Sequence, residues 1–240
     1  MINQYKHHSQ RGQSAMEFLV IFPVLVLLVF GIIQFALLYQ ARATLNHATM
    51  LAARAGALYS GDKNKMRTAL ANGLTPLFAA AADPGGYAVA LAKSFVESSA
   101  LYTKIEILNP SPAALSDFGE AALDGTSGIQ LPNDTLNYRT TTTGSSSKIS
   151  IQDANILHIR VTYCVRLIVP VVDRILYATT NTSSPATHVG LQANGMSNPF
   201  GTGGEPLVPN CLTSLVGDRR IEIKSEAFVR MQSPFSKSNL

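Results

Sequence analysis

The chain has 240 residues, of which 46% are hydrophobic and only 14% charged, with a formal charge of +4. That balance favours a membrane-attached protein over a purely soluble enzyme. The small basic excess, without a dense basic stripe interleaved with aromatics, argues against nucleic-acid binding. Lys6 and Arg11 lie in the first twelve residues with no acid beside them; without them 17 basic residues face 15 acidic ones.

Residues 18–39 carry no formal charge, and Gln34 is their one strongly polar side chain. About 20 apolar residues suffice to cross a bilayer as a helix. The run is apolar on every face, which excludes a half-exposed surface helix, and 240 residues offer too little protein to enclose it. Three readings follow. A secretory signal peptide would use Ala41-Arg42-Ala43 as its cleavage pattern, but its apolar core would be shorter, at about 7–15 residues. The second is a plain, uncleaved anchor. The third turns on what precedes the run.

Upstream stands Arg11-Gly12-Gln13-Ser14-Ala15-Met16-Glu17. A carboxylate at the bilayer centre costs roughly 2.5–3.5 kcal/mol, so Glu17 needs a reason or a partner. One reading places it at headgroup level, where the helix dipole favours an anion. The other makes Gly12 the residue before a cleavage site, so that a new α-amino group on Gln13 becomes a cation for the carboxylate of a neighbouring subunit.

The glycine before the cut, the glutamate five residues on and the apolar helix resemble a type IV prepilin processing site. More closely, Arg11-Gly12-Gln13-Ser14-Ala15-Met16-Glu17-Phe18, with Phe22-Pro23 and Phe30-Gly31-Ile32-Ile33-Gln34-Phe35, resembles the TadE-like family, the minor pilins (pseudopilins) of the tight-adherence or Flp-type pilus. The resemblance is strong over about residues 11–60. It implies cleavage between Gly12 and Gln13 by a prepilin peptidase, and it implies other pilins and minor pilins, the inner-membrane assembly machinery and membrane lipid as partners. Surface attachment and biofilm formation are implied consequences.

Pro23 and Gly31 interrupt the span; proline usually kinks a helix, although membrane helices tolerate it. Residues 40–58 continue a helical pattern, with Leu45, Met50, Leu51 and Leu58 as the apolar stripe and seven alanines thinning the surface. One helix over residues 14–58 would reach roughly 65–70 Å. Small residues permit close helix approach, which suits a filament core; the alternative is an amphipathic helix folding back on its own domain. Lys6 and Arg11, with His7 and His8, place the amino terminus in the cytoplasm by the positive-inside rule and the carboxyl domain in the periplasm.

Beyond residue 60 the texture is that of a globular domain. Residues 62–82 read as a helix with a break near Pro76, residues 83–86 as a turn, and residues 87–102 as a second helix. Residues 104–108 alternate as a half-buried strand should, and residues 110–144 are loop-rich with short helical turns near 113–123. Residues 140–147 form a polar low-complexity tract, read as an exposed loop or hairpin tip. Residues 155–172 are the strongest strand region, residues 181–209 a long loop, and residues 220–231 a final strand. The expected fold is α+β, a long transmembrane and stalk helix with a small extracytoplasmic domain containing an antiparallel sheet. The expected divisions are a basic leader (1–12), the membrane helix and stalk (13–59) and the outer domain (60–240).

Cys164 and Cys211 are too few and too far apart for a zinc ribbon. In an extracytoplasmic domain they read as one disulfide, with two buried thiols as the alternative. No nucleophile elbow, phosphate loop, zinc-protease or dinucleotide motif is present. His158 reads as a structural or surface histidine, and Asp173-Arg174 and Asp218-Arg219-Arg220 as strand-end ion pairs or solvated turns. The expectation is therefore no enzyme, no cofactor and no metal. The rival to a pilin is an uncleaved, membrane-tethered periplasmic binding or adhesin module; a hydrolase with a dispersed triad is a distant third.

Overall fold

The computed structural model describes residues 13–79, 83–100, 102–122, 128–181 and 219–240. Its organising element is α1 (Gln13–Leu58), a single helix of 46 residues, about 70 Å long. Pro23 lies inside it without ending it. The helix stops where Ser60 (φ 54°) and Gly61 (φ 83°) turn left-handed and the Gly61 N–H bonds the Gly56 carbonyl at 2.9 Å, satisfying an orphan acceptor of the last turn. Gly61 is also required for space, because a Cβ there would lie 2.2 Å from the Phe235 ring.

The chain then reverses into α2 (Lys63–Phe78), capped by the Asp62 carboxylate, which accepts from the Asn64 N–H at 2.7 Å. Pro76 falls in the last turn, so α2 runs two residues past the expected break before ending. The two helices touch backbone to backbone at Gly73, where a Cβ would meet the Ala48 Cβ at 2.7 Å. The expected turn at residues 83–86 is instead the start of α3 (Pro84–Glu97), with Asp83 as the cap and Pro84 in the first turn. Proline is tolerated there because its missing N–H would be unpaired anyway.

The principal sheet is antiparallel, with β4 (Ile156–Arg166) between β1 (Thr103–Asn109) and β5 (Arg220–Arg230). Along β4, Leu157, Ile159, Val161, Tyr163 and Val165 point into the core beside α1. A smaller antiparallel sheet pairs β2 (Glu120–Ala121), β3 (Ile129–Leu131) and β6 (Phe235–Ser236). Two short helices, α4 (Pro112–Phe118) and α5 (Ile151–Ala154), are capped by Ser111 and Ser150. The fold is α+β.

Two expectations need correction. Met50 and Leu58 are exposed; the buried face of α1 is made by Ala41, Leu45, Ala48, Ala52, Ala53 and Ala57. The sheet and α2 approach this helix too closely for larger side chains, so its distal half is the central rod of its own domain. The strand region does not extend to residue 172. β4 ends at Arg166, and the chain turns into α6 (Val172–Asn181). Pro170 has no N–H for a ladder, and Val171 adopts φ 72°, a left-handed conformation costing a β-branched residue about 1–3 kcal/mol.

The polar tract over residues 140–147 is an exposed loop gripped by one carboxylate. Asp117 at the end of α4 accepts from the Ser147 N–H at 2.7 Å, the Ser146 N–H at 3.0 Å and the Ser145 hydroxyl at 3.2 Å. The Ser147 amide contributes most to holding the Asp117 carboxyl at about 2, against the opposing effect of desolvation. A depressed folded value means the grip is complete above the ordinary value of 3.8 and is lost as pH falls towards about 2. The Ser146 and Ser147 amide resonances should therefore titrate together with a midpoint near 2, and Asp117→Asn should abolish that titration.

Candidate functional site

The amino-terminal half of α1 has almost no protein around it. Fourteen large apolar side chains between Met16 and Phe35 are exposed. At about 1.5–3 kcal/mol for each side chain left in water, the surface costs tens of kcal/mol unless lipid or other helices cover it. The Phe18 and Phe22 rings pack one turn apart in a tilted arrangement, with centroids 5.2 Å apart. The helix is long and apolar enough to cross a membrane.

Gln13 opens α1, whereas Gly12 lies outside the described residues. Glu17 is exposed one turn further on, on the same face as Gln13 by the i, i+4 rule. The structure thus brings Gln13 and Glu17 to one end of an unpartnered apolar rod.

At the other end of the rod lies Gln34, only 1% exposed. Its side-chain carbonyl accepts the N–H groups of Val169 at 2.9 Å and Ile168 at 3.3 Å. The one strongly polar side chain of the apolar run therefore holds the turn at Ile168 and Val169 of the outer domain against it. Sequence reading found the residue but not this role, since its partners lie some 135 positions away.

Within the domain, Cys164 is buried on β4 and disulfide-bonded; Cys211 lies outside the described residues. Beside Cys164 sits a cluster whose Arg220 is the expected strand-end ion-pair residue, but whose partners the sequence did not name. Arg220, 4% exposed, donates to both Glu97 oxygens at 2.7 and 2.9 Å and to the Cys164 carbonyl at 2.9 Å. Its guanidinium lies 3.8 Å from the Tyr102 ring centroid, and the Tyr163 hydroxyl donates to Glu97 at 3.1 Å. Burial, with the Glu97 charge beside it, pushes the Tyr163 hydroxyl far above its ordinary value. The cluster joins the end of α3 to the sheet.

His158 stacks on Phe228 at 3.9 Å and bonds Glu226 at 3.0 Å, and Arg160 shares the same carboxylate at 2.7 Å. Burial tends to raise the Glu226 carboxyl, but the Arg160 and His158 contacts outweigh it and the net shift is downward. Asp173 pairs with Arg219 at 2.7 Å, tying α6 to the residue that leads into β5; Asp218 lies outside the described residues. Among the described residues, no group of three or more His, Cys, Asp or Glu side chains is placed to hold a metal ion.

These features define a protein with one amino-terminal, membrane-competent helix and a folded α+β domain built around its far end. Residues 12–54 match the family model described as TadE-like protein. Over that segment the chain is similar to TadE-like proteins. The match covers the amino-terminal helix and leaves most of the outer domain aside. Comparison with curated proteins and with solved structures finds no match.

Proposed function

We propose that the chain is a minor pilin (pseudopilin) of a tight-adherence type pilus, with a structural rather than catalytic role. It is made as a precursor, anchored in the inner membrane with its amino terminus in the cytoplasm, and cut by a prepilin peptidase between Gly12 and Gln13. The observation that carries this reading is the bare apolar rod of α1 with Glu17 at its mouth, within the segment that resembles TadE-like proteins.

The chemistry is that of packing. Cleavage would create a cation at Gln13, while Glu17 lies about 6 Å further along the axis. Each subunit then offers one cation and one anion offset by a helical turn, so pairing between neighbours sets their axial stagger in a medium of low dielectric. The exposed aliphatic surface supplies the packing area, and the outer domain the contacts with other pilus components. A Cys164–Cys211 disulfide suits a periplasmic domain. Adhesion and biofilm formation follow from piliation.

Cell fractionation tests the reading. Deleting the gene for this chain should abolish piliation and surface attachment, and the wild-type chain should restore both. A chain that stays in the membrane with piliation unaffected by its deletion would instead be the uncleaved tethered module.

A further inference from the structure

The turn that Gln34 holds lies at a depth that membrane anchoring makes informative. Gln34 is seventeen residues from Glu17 on an unbroken helix, about 26 Å along the axis. The hydrocarbon core is about 30 Å thick. With Glu17 at the inner boundary, the segment bonded to Gln34 falls at the outer boundary of the hydrocarbon rather than in the aqueous space.

The surface of that segment matches the location. Ile168 is 67% exposed, Val171 54% and Ile175 46%, and Pro170 is exposed between them. Leu167, Val169 and Val172 are buried behind them. The tip is therefore apolar on both sides, facing its own domain and facing outward. The backbone N–H groups of Ile168 and Val169, which would be costly to expose in lipid, are both taken by Gln34. Val171 carries a β-branched side chain at φ 72°, where conformation alone favours glycine; the strained turn aims an apolar group away from the domain. Exposed Arg174 lies at the far end of the tip, where a guanidinium group reaches headgroup phosphates. The acid within the tip, Asp173, is paired with Arg219.

We propose that residues 167–175 form a second membrane contact, a wedge that dips into the outer leaflet of the bilayer spanned by α1 and fixes the tilt of the outer domain upon it. The inference rests on the anchored reading of α1. Its occupant is the acyl–headgroup boundary, argued from the continuity of this tip with the apolar surface of the helix.

The chain contains no tryptophan, so single-tryptophan variants report without background. The full chain is reconstituted in phosphatidylcholine–phosphatidylglycerol vesicles with and without acyl-brominated lipid, as Phe22→Trp, Ile168→Trp, Val171→Trp and Leu58→Trp. All four positions are exposed, so folding tolerates the exchange. Brominated lipid should remove most of the emission at positions 22, 168 and 171. It should leave position 58 unchanged, about 36 Å beyond Gln34 along the helix. Quenching at 22 with 168 and 171 behaving like 58 overturns the wedge and leaves the anchor standing. No quenching at 22 overturns the anchor and the wedge with it. A blue shift at 168 and 171 without quenching means that protein, not lipid, covers the tip, and also overturns the proposal.

Discussion

Replacing Arg220 with alanine should destabilise the outer domain by about 3–5 kcal/mol, the cost of stranding a buried charge. Glu97, with 15% of its side chain exposed, would lose both guanidinium bonds, and the Cys164 carbonyl would lose its donor. For a domain of this size the midpoint of thermal unfolding should fall by about 6–20 °C. Arg220→Lys keeps the charge but not the planar fork, and should fall between the two. The double variant Arg220→Met with Glu97→Leu should recover much of the loss, because the penalty lies in the unpaired charge rather than in the absence of the pair. Circular dichroism of the detergent-solubilised chain measures all four proteins. A fall of less than about 1 kcal/mol for Arg220→Ala would mean that water reaches Glu97 and the cluster is peripheral.

Glu17→Ala should leave membrane insertion intact and stop assembly. Removing a carboxylate from the mouth of the apolar helix can only ease insertion. If Glu17 pairs with the amino terminus of a neighbour in a water-poor filament, losing it strands that cation at about 3–5 kcal/mol. At 1.4 kcal/mol per tenfold, incorporation into sheared pili should drop by about 100-fold or more. Glu17→Gln should behave almost as badly, since it preserves shape without charge. Immunoblots of the membrane and sheared fractions read both quantities. Normal piliation in Glu17→Ala would remove the proposed role of the carboxylate.

The helix was legible because its signal is local. A charge-free run of 22 residues and a continuing helical pattern lead to α1 without any knowledge of its neighbours, and the Asp62 cap is equally local. The strands β1, β4 and β5 showed through their alternation. The inward face of α1 did not. Alanine is both a strong helix former and a residue that permits close approach, so its spacing cannot distinguish a thin exposed flank from a tightly packed core. Leu58 and Met50 looked like the stripe by hydrophobicity and lie outside because α2 and the sheet pack on the other side. The residues that hold the domain together are illegible for a related reason. Gln34 meets Val169, Glu97 meets Arg220 and Asp117 meets Ser147 across 135, 123 and 30 positions, and nothing in the local pattern of any of them names its partner. The proposed processing site, Gly12-Gln13 through Glu17, is a short linear motif that sequence alone can suggest, whereas the contacts of Gln34 and Arg220 depend on tertiary structure.

The measurement closest to the central claim is the mass of the mature amino terminus, read from cells with and without prepilin peptidase. A terminus at Gln13 that appears only when the peptidase is present is the predicted result. An intact Met1 in both strains, or a start near Thr44 independent of the peptidase, would contradict it.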